Sequence, residues 1–228
     1  MGNRDGGETF GLETLLKEME EYAAVRHVPI INEQERSAFC RIVQDFCPHR
    51  ILEIGTAIGY SALLLARCAA DDACVTTLER SEERAEQAQK YIARSPYASC
   101  IKIHVGDAGK LLQQENIRAG APYDLVFIDA AKGQYPDYFA KALPLLADHA
   151  VLLADNVLFR GYVRSEQKIP HRYRTMVNRL REYLCLAAET PGCHTDILEN
   201  GDGLAVTRWD RTAEANTTER GRNHAEKA

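Results

Sequence analysis

Glu53-Ile54-Gly55-Thr56-Ala57-Ile58-Gly59-Tyr60-Ser61 closes the apolar run 51–54 and opens a helical pattern over residues 60–70. A strand that ends in a glycine-bearing turn and passes directly into a helix is the entry unit of a βαβ fold. Glycine at such a turn allows a tight reversal and lets a ligand approach the backbone closely. Outward from this stretch the same alternation repeats. Nearly continuous apolar runs at 51–54, 74–78, 101–105, 125–128 and 150–154 read as strands, with helical or turn segments such as 60–70, 82–95 and 135–146 between them. Strands of this kind belong to a parallel sheet covered on both faces. A further helix is expected from about Pro170, with Tyr173, Val177, Leu180 and Leu184 on its inner face. Two strand-like segments, 194–198 and 204–207, follow around Glu199-Asn200-Gly201-Asp202-Gly203, a strong hairpin signal that makes the last strand antiparallel. The fold class is therefore α/β, a doubly wound, mostly parallel seven-stranded sheet with an antiparallel last strand.

Two helices precede the first strand. One covers 10–27 and collects Leu12, Leu15, Leu16, Met19, Tyr22 and Ala23 on one face. The next starts at the N-cap Asn32, with Glu35 three residues on as in a capping box. It buries Phe39, Ile42, Val43 and Phe46 and stops before Cys47-Pro48. Residues 1–9 are expected to be flexible and 10–208 to form one domain. Residues 209–228 carry four basic and four acidic groups and read as a disordered tail.

The chain has 228 residues, enough for one fold that buries about 70% of its extended-chain surface. No apolar run approaches the roughly 18 residues of a membrane span, and the polar start is no signal peptide. Seven cysteines, an odd number without a C-x-x-C pair, fit neither a disulfide framework nor a zinc knuckle and imply reduced structural thiols in a cytoplasmic protein. The net charge of −5, taken alone, argues against a nucleic-acid partner.

The turn 55–59 lacks the G-x-G-x-x-G of a dinucleotide site, and a carboxylate at Glu53 is unwelcome beside a pyrophosphate. It suits a cationic ligand such as S-adenosylmethionine. Glu79, 24 residues after Gly55, ends the second strand where a carboxylate can bind both ribose hydroxyls, and Asp107-Ala108 lies where an adenine amine would be recognised. The candidate cofactor contacts are Glu53, Gly55, Thr56 and Gly59 in the turn and Tyr60 and Ser61 at the helix start. Glu79 and Arg80, Asp107 and Ala108, and Asp129 extend the set at later strand ends.

The stretches EIGTAIGYS, VFIDAAKGQY and ADNVLFRG together resemble the class I S-adenosylmethionine-dependent O-methyltransferases of the catechol and caffeoyl-CoA type, with a Rossmann-like methyltransferase fold. The likeness runs over roughly 12–208. Asp129 ends the fourth strand and Asp155-Asn156 the fifth, an all-oxygen donor set that suits Mg²⁺, Mn²⁺ or Ca²⁺. The resemblance implies the same metal ligands, and it places Lys132 at the family's catalytic lysine. A divalent cation lowers the pKa of a bound hydroxyl, and a lysine beside it can accept the proton.

Such a metal favours an acceptor with two neighbouring oxygens, which both a catechol and 5-hydroxyuridine provide. Segment 160–181 carries a net +6, leaving −11 for the remainder. Its Arg160, Arg164, Lys168, Arg172 and Arg174 are candidate tRNA contacts, interleaved with Phe159, Tyr162 and Tyr173, which can stack on unpaired bases. Arg26 could extend that rim, although a surface charge is its plainer role. The stretches DNVLFRGYV and HRYRTMVNRLREYL also resemble the bacterial tRNA 5-hydroxyuridine O-methyltransferases, which implies methylation of the anticodon stem-loop. The alternative acceptor is a catechol-like small molecule or its CoA ester. The two N-terminal helices and the resemblance suggest a homodimer.

Overall fold

The computed structural model describes residues 6–212 apart from 167 and 200, with the backbone alone for 6–10 and 34. Residues 1–5 of the expected flexible start and 213–228 of the expected tail lie outside the described residues. The chain divides into two compact units, Met1–Ile117 and Arg118–Ala228.

In the first unit, α1 (Gly6–Arg26) begins four residues before the expected 10 and buries Leu12, Leu15, Leu16, Met19 and Ala23. α2 (Glu33–Phe46) starts where the sequence places it. The Asn32 side chain accepts from the Glu35 amide at 3.0 Å and donates to Oε2 of Glu35 at 2.6 Å, a reciprocal cap closed through side chains. Phe39 and Val43 are buried, but Ile42 is half-buried and Phe46 is exposed, because the helix ends there with Cys47 in the left-handed region. Then follow β1 (Arg50–Ile54), α3 (Tyr60–Cys68), β2 (Cys74–Glu79), α4 (Glu82–Ile92), β3 (Ile101–Val105) and the short α5 (Ala108–Leu111) and α6 (Glu115–Arg118). β1 pairs parallel with β2, Ile54 level with Leu78, and β2 pairs parallel with β3, Glu79 level with Val105. Their carboxyl ends therefore lie at one edge.

The second unit comprises β4 (Tyr123–Ile128), α7 (Tyr135–Ala142), β5 (Leu146–Ala154), α8 (Arg174–Glu189), β6 (Cys193–Leu198) and β7 (Leu204–Asp210). β4 and β5 are parallel with Ile128 level with Ala154, while β7 runs antiparallel to both β5 and β6. The strand order of the seven-stranded sheet is β3-β2-β1-β4-β5-β7-β6, the mixed sheet expected from sequence.

Three boundaries differ from expectation for physical reasons. α7 ends at Ala142 because Leu143–Leu145, with Pro144, forms a 3₁₀ turn, and β5 already starts at Leu146, its amphipathic first half hidden by exposed Asp148 and His149. α8 starts at Arg174 and buries Val177, Leu180, Tyr183 and Ala187, whereas Tyr173 and Leu184 are only half-buried. The rings of Tyr135 and Phe139 meet the Tyr183 ring edge-on at 5.6 and 5.7 Å, which anchors α8 on α7. β7 runs to Asp210, so the segment 209–228 does not begin as a tail. Trp209 pairs with Ala150 and Cys193 and is only 3% exposed.

The described cysteines form no disulfide; Cys68 is buried, but Cys47, Cys74 and Cys185 are exposed rather than in apolar surroundings. No helix among the described residues is long and apolar enough to cross a membrane. Trp209→Ala removes a buried ring from the last strand and is expected to destabilise the fold by about 3–5 kcal/mol, measured by urea unfolding. A change below about 0.5 kcal/mol, typical of an exposed tail residue, would return Trp209 to the tail.

Candidate active site

In the first unit, the ladder between β1 and β2 continues one step into the turn. The Gly55 and Thr56 amides both donate to the Leu78 carbonyl, at 2.9 and 3.2 Å, and the Gly59 amide donates to the Thr56 carbonyl at 2.8 Å. Gly55 (φ +110°) and Gly59 (φ +87°, the N-cap of α3) hold conformations that L side chains rarely adopt. A Cβ on Gly59 would also lie 3.3 Å from Ala88 Cβ and Ile92 Cδ1, so α4 would have to give by a few tenths of an ångström to admit one.

Glu79, expected at a ribose, clamps main chain in the structure. Its Oε2 accepts from the Ala57 amide and its Oε1 from the Ser81 amide, both at 2.8 Å, so one carboxylate fixes the middle of the glycine turn and the exit of β2. Each oxygen keeps acceptor capacity for a ligand hydroxyl. Glu53 is fully buried. It accepts a hydrogen bond from the Thr77 hydroxyl, which lies 2.5 Å from the Thr56 hydroxyl, also buried. A buried carboxylate is tolerable only when hydrogen-bonded, and these two threonines supply that environment. Tyr60 directs its hydroxyl to the N-terminal helices, donating to Glu20 at 2.5 Å and accepting from Arg36 at 2.9 Å. Burial and then the Glu20 carboxylate push its pKa up to about 12. Ser61 and Ala108 are buried; Arg80 is exposed. Asp107, also exposed, caps α5 by accepting from the Lys110 amide at 3.1 Å.

Thr77, Glu20 and Arg36 escaped the sequence reading. Thr77 left a trace, a hydroxyl at the centre of an otherwise apolar strand. Nothing local marks Glu20 or Arg36, whose partner Tyr60 is 40 and 24 residues away.

In the second unit, Asp129 and Asp155 follow β4 and β5 directly, and the register sets them at the same level. The Asp155 amide donates to the Ile128 carbonyl at 3.0 Å, one rung beyond the strands. The Tyr135 hydroxyl lies 3.1 Å from the Ile128 carbonyl and 3.0 Å from the Asp155 carbonyl, shared between the two strand ends. Complete burial, then the charges of Asp129 and Asp155, raise its pKa well above the usual tyrosine value, so it stays a donor. Lys132 Nζ is 2.8 Å from Asp129 Oδ1 and 5.4 Å from the centre of the Tyr135 ring. Asp155 Oδ1 accepts from the Asn156 amide at 2.8 Å, and Asn156 itself takes a left-handed conformation (φ +53°).

Among the described residues no three His, Cys, Asp or Glu side chains gather as a metal cluster. The donors at this edge are instead two carboxylates and the amide of Asn156. An all-oxygen set of that kind fits a hard divalent cation, with Asp129 neutralised by the Lys132 ammonium.

The basic segment is largely engaged within its own unit. Arg164 pairs with Glu199. Arg179 donates to the Gly133 carbonyl and to Glu182, and Arg181 donates to the carbonyls of Tyr162, Val163 and Ser165. Arg174 reaches the Ile169 carbonyl at 3.4 Å. Arg160 and Arg172 are exposed, with guanidinium groups 5.8 Å over Phe159 and 4.6 Å over Tyr173. Lys168 is exposed as well. Phe159, Tyr162 and Tyr173 pack on one another, with ring centres 5.2 to 6.2 Å apart, as a half-buried aromatic group. Arg26 lies at the end of α1, 6.0 Å over the Tyr22 ring.

Catechol O-methyltransferase of Niastella koreensis is 36% identical over 129 residues, which cover 56% of this chain and 58% of that protein. Catechol O-methyltransferase of Mycobacterium tuberculosis is 35% identical over 136 residues, 60% of each. The match thus spans about three fifths of the length of these curated relatives. The O-methyltransferase from Bacillus cereus, solved in complex with SAH, superposes with a TM-score of 0.78 at 29% identity, covering 86% of this chain and 91% of that one. Residues 8–209, nearly all of the described chain, match the profile of the O-methyltransferase family, and the chain belongs to that family.

Proposed function

We propose that this chain transfers a methyl group from S-adenosylmethionine to a hydroxyl of a catechol-like small molecule or its CoA ester. The observation that carries this reading is the second unit's strand edge, where Asp129, its partner Lys132 and Asp155 stand at one level. In the first unit, the glycine turn, Glu79 and the buried Glu53 form a cradle for a cationic, ribose-bearing donor. Asp129, Asp155 and Asn156 would hold a divalent cation, which would supply Lewis acidity toward the hydroxyl to be methylated. Lys132, as the free amine, would take the proton from that hydroxyl at its Nζ and become the ammonium that Asp129 holds. The half-buried rings of Phe159, Tyr162 and Tyr173, close in sequence after Asp155-Asn156, offer a flat apolar surface suited to a phenyl ring.

The preference for a small acceptor over an RNA follows from where most of the arginines go. Phosphate recognition needs guanidinium groups available to the ligand, whereas Arg164, Arg174, Arg179 and Arg181 are spent on Glu199, Glu182 and backbone carbonyls. The tRNA anticodon stem-loop with 5-hydroxyuridine is the second reading. It is favoured by exposed Arg160, Lys168 and Arg172 beside the aromatic group.

Two predictions test the proposal. With labelled S-adenosylmethionine and Mg²⁺, wild-type protein should methylate a catechol, and Lys132→Met should lower kcat by about 100-fold or more while SAH affinity stays within about twofold. Faster transfer to tRNA carrying 5-hydroxyuridine than to any catechol or catechol-bearing CoA ester would reverse the choice of acceptor. Glu79→Ala releases the Ala57 and Ser81 amides and should weaken SAH binding, measured calorimetrically, about 10- to 100-fold, as befits charge-assisted hydrogen bonds. Unchanged affinity would remove Glu79 from the cofactor cradle.

A further inference from the structure

We propose that Tyr135 is a positioning residue whose hydroxyl sets the spacing and aim of Asp129, Lys132 and Asp155. This inference rests on the reading above that these three groups activate the acceptor.

The argument is geometric. Past the last paired residues of a parallel ladder, few main-chain bonds are left to fix the distance between neighbouring chains. Here the ladder ends between Ile128 and Asp129 on one strand and between Ala154 and Asp155 on the other, so both acidic residues stand just beyond the last paired residues. The Tyr135 hydroxyl, fully buried, lies between the two chains at that level, 3.1 Å from the Ile128 carbonyl and 3.0 Å from the Asp155 carbonyl. It ties the residue before Asp129 to Asp155 itself, and with the Asp155 amide on the Ile128 carbonyl it closes a small ring of main-chain bonds. The same side chain carries a second restraint. Its ring lies 5.4 Å from Lys132 Nζ, so the ammonium is held between the Asp129 carboxylate and an aromatic face. Tyr135 is in turn locked by the edge of Tyr183 from α8 and by its own place as the first residue of α7. One rigid side chain thus touches the main chain of Asp155 and of the residue before Asp129 through its hydroxyl, and faces Lys132 with its ring. Groups that orient metal ligands in this way typically change metal affinity or activity 10- to 100-fold when removed.

The test compares wild type with Tyr135→Phe, which keeps the ring, its packing on Tyr183 and its face to Lys132 but removes the oxygen. Tyr183→Phe is the control, a buried hydroxyl lost from the same cluster without contact to the strand ends. Mn²⁺ binding, titrated by electron paramagnetic resonance in the absence of acceptor, should weaken about tenfold or more in Tyr135→Phe and stay within about twofold in Tyr183→Phe. With catechol as acceptor, Tyr135→Phe should lower kcat while SAH affinity stays within about twofold. Equal Mn²⁺ affinity in Tyr135→Phe and wild type, or Mn²⁺ bound by neither, overturns the proposal, as does an equal loss in Tyr183→Phe. Failure of the acceptor reading is distinguished by its own signature, a wild type that binds Mn²⁺ tightly yet methylates no catechol.

Discussion

Parallel pairing is the constraint on which the rest of this chain's arrangement depends. In a parallel sheet every strand delivers its carboxyl end to the same edge, and the register decides which residues leave the ladder side by side. Ile54 stands level with Leu78, Glu79 with Val105, and Ile128 with Ala154. Within each unit the residues that follow these positions are therefore presented side by side although 20 to 30 residues of sequence separate them. The interior of the sheet is too apolar to hold a carboxylate without a partner. Each acidic group at the edge accordingly has one: Thr77 for Glu53, two amides for Glu79, Lys132 for Asp129 and the Asn156 amide for Asp155.

These partners give the two units different characters. In the first, the carboxylates fix backbone: Glu79 clamps the glycine turn, whose own conformation only glycine adopts easily at residues 55 and 59. That is a rigid receptor for a ligand that lies along the main chain. In the second, the carboxylates face an ammonium and the turn Lys132–Gln134, and the fixing is done by a phenol. That salt bridge is mostly buried, with 15% and 23% of its side-chain surfaces exposed, so the amine is held beside Asp129.

Most of the sheet was legible because the pattern that encodes it is local. Apolar runs of four or five residues, glycine at the exit of β1 and Asp at the exits of β4 and β5 are all visible in windows shorter than ten residues. Asn32 with Glu35 was legible for the same reason. What was not legible depends on partners distant in sequence or on atoms every residue shares. Tyr135 presents as one more apolar residue opening a helix; its hydroxyl binds two carbonyls, and carbonyls carry no sequence signature. Trp209 was misplaced because the last strand runs past the window in which Leu204 to Thr207 alternate, and its burial is fixed by pairing with Ala150 and Cys193. Tyr183 was passed over in favour of Leu184, since helical periodicity alone places neither of two adjacent apolar residues on the inner face; the edge contacts with Tyr135 and Phe139 decide it.

The charge distribution shows the same limit from the other side. A net +6 over residues 160–181, against −11 elsewhere, reads as a surface for polyanions when each arginine counts as one free charge. Arginine is also the side chain best able to donate to several carbonyls at once, with five N–H groups in a fixed fork. Arg181 does this across Tyr162, Val163 and Ser165, while Arg179 divides its donors between the Gly133 carbonyl, next to Lys132, and the Glu182 carboxylate. Both tie α8 to turns that flank the acidic edge. A loop that carries aromatic rings and must keep one shape beside an active site has many main-chain carbonyls and few regular partners for them. Arginines are the physical remedy. The density of positive charge after Asp155-Asn156 thus measures how much irregular backbone has to be held there, and only its exposed remainder, Arg160, Lys168 and Arg172, bears on the charge of the acceptor.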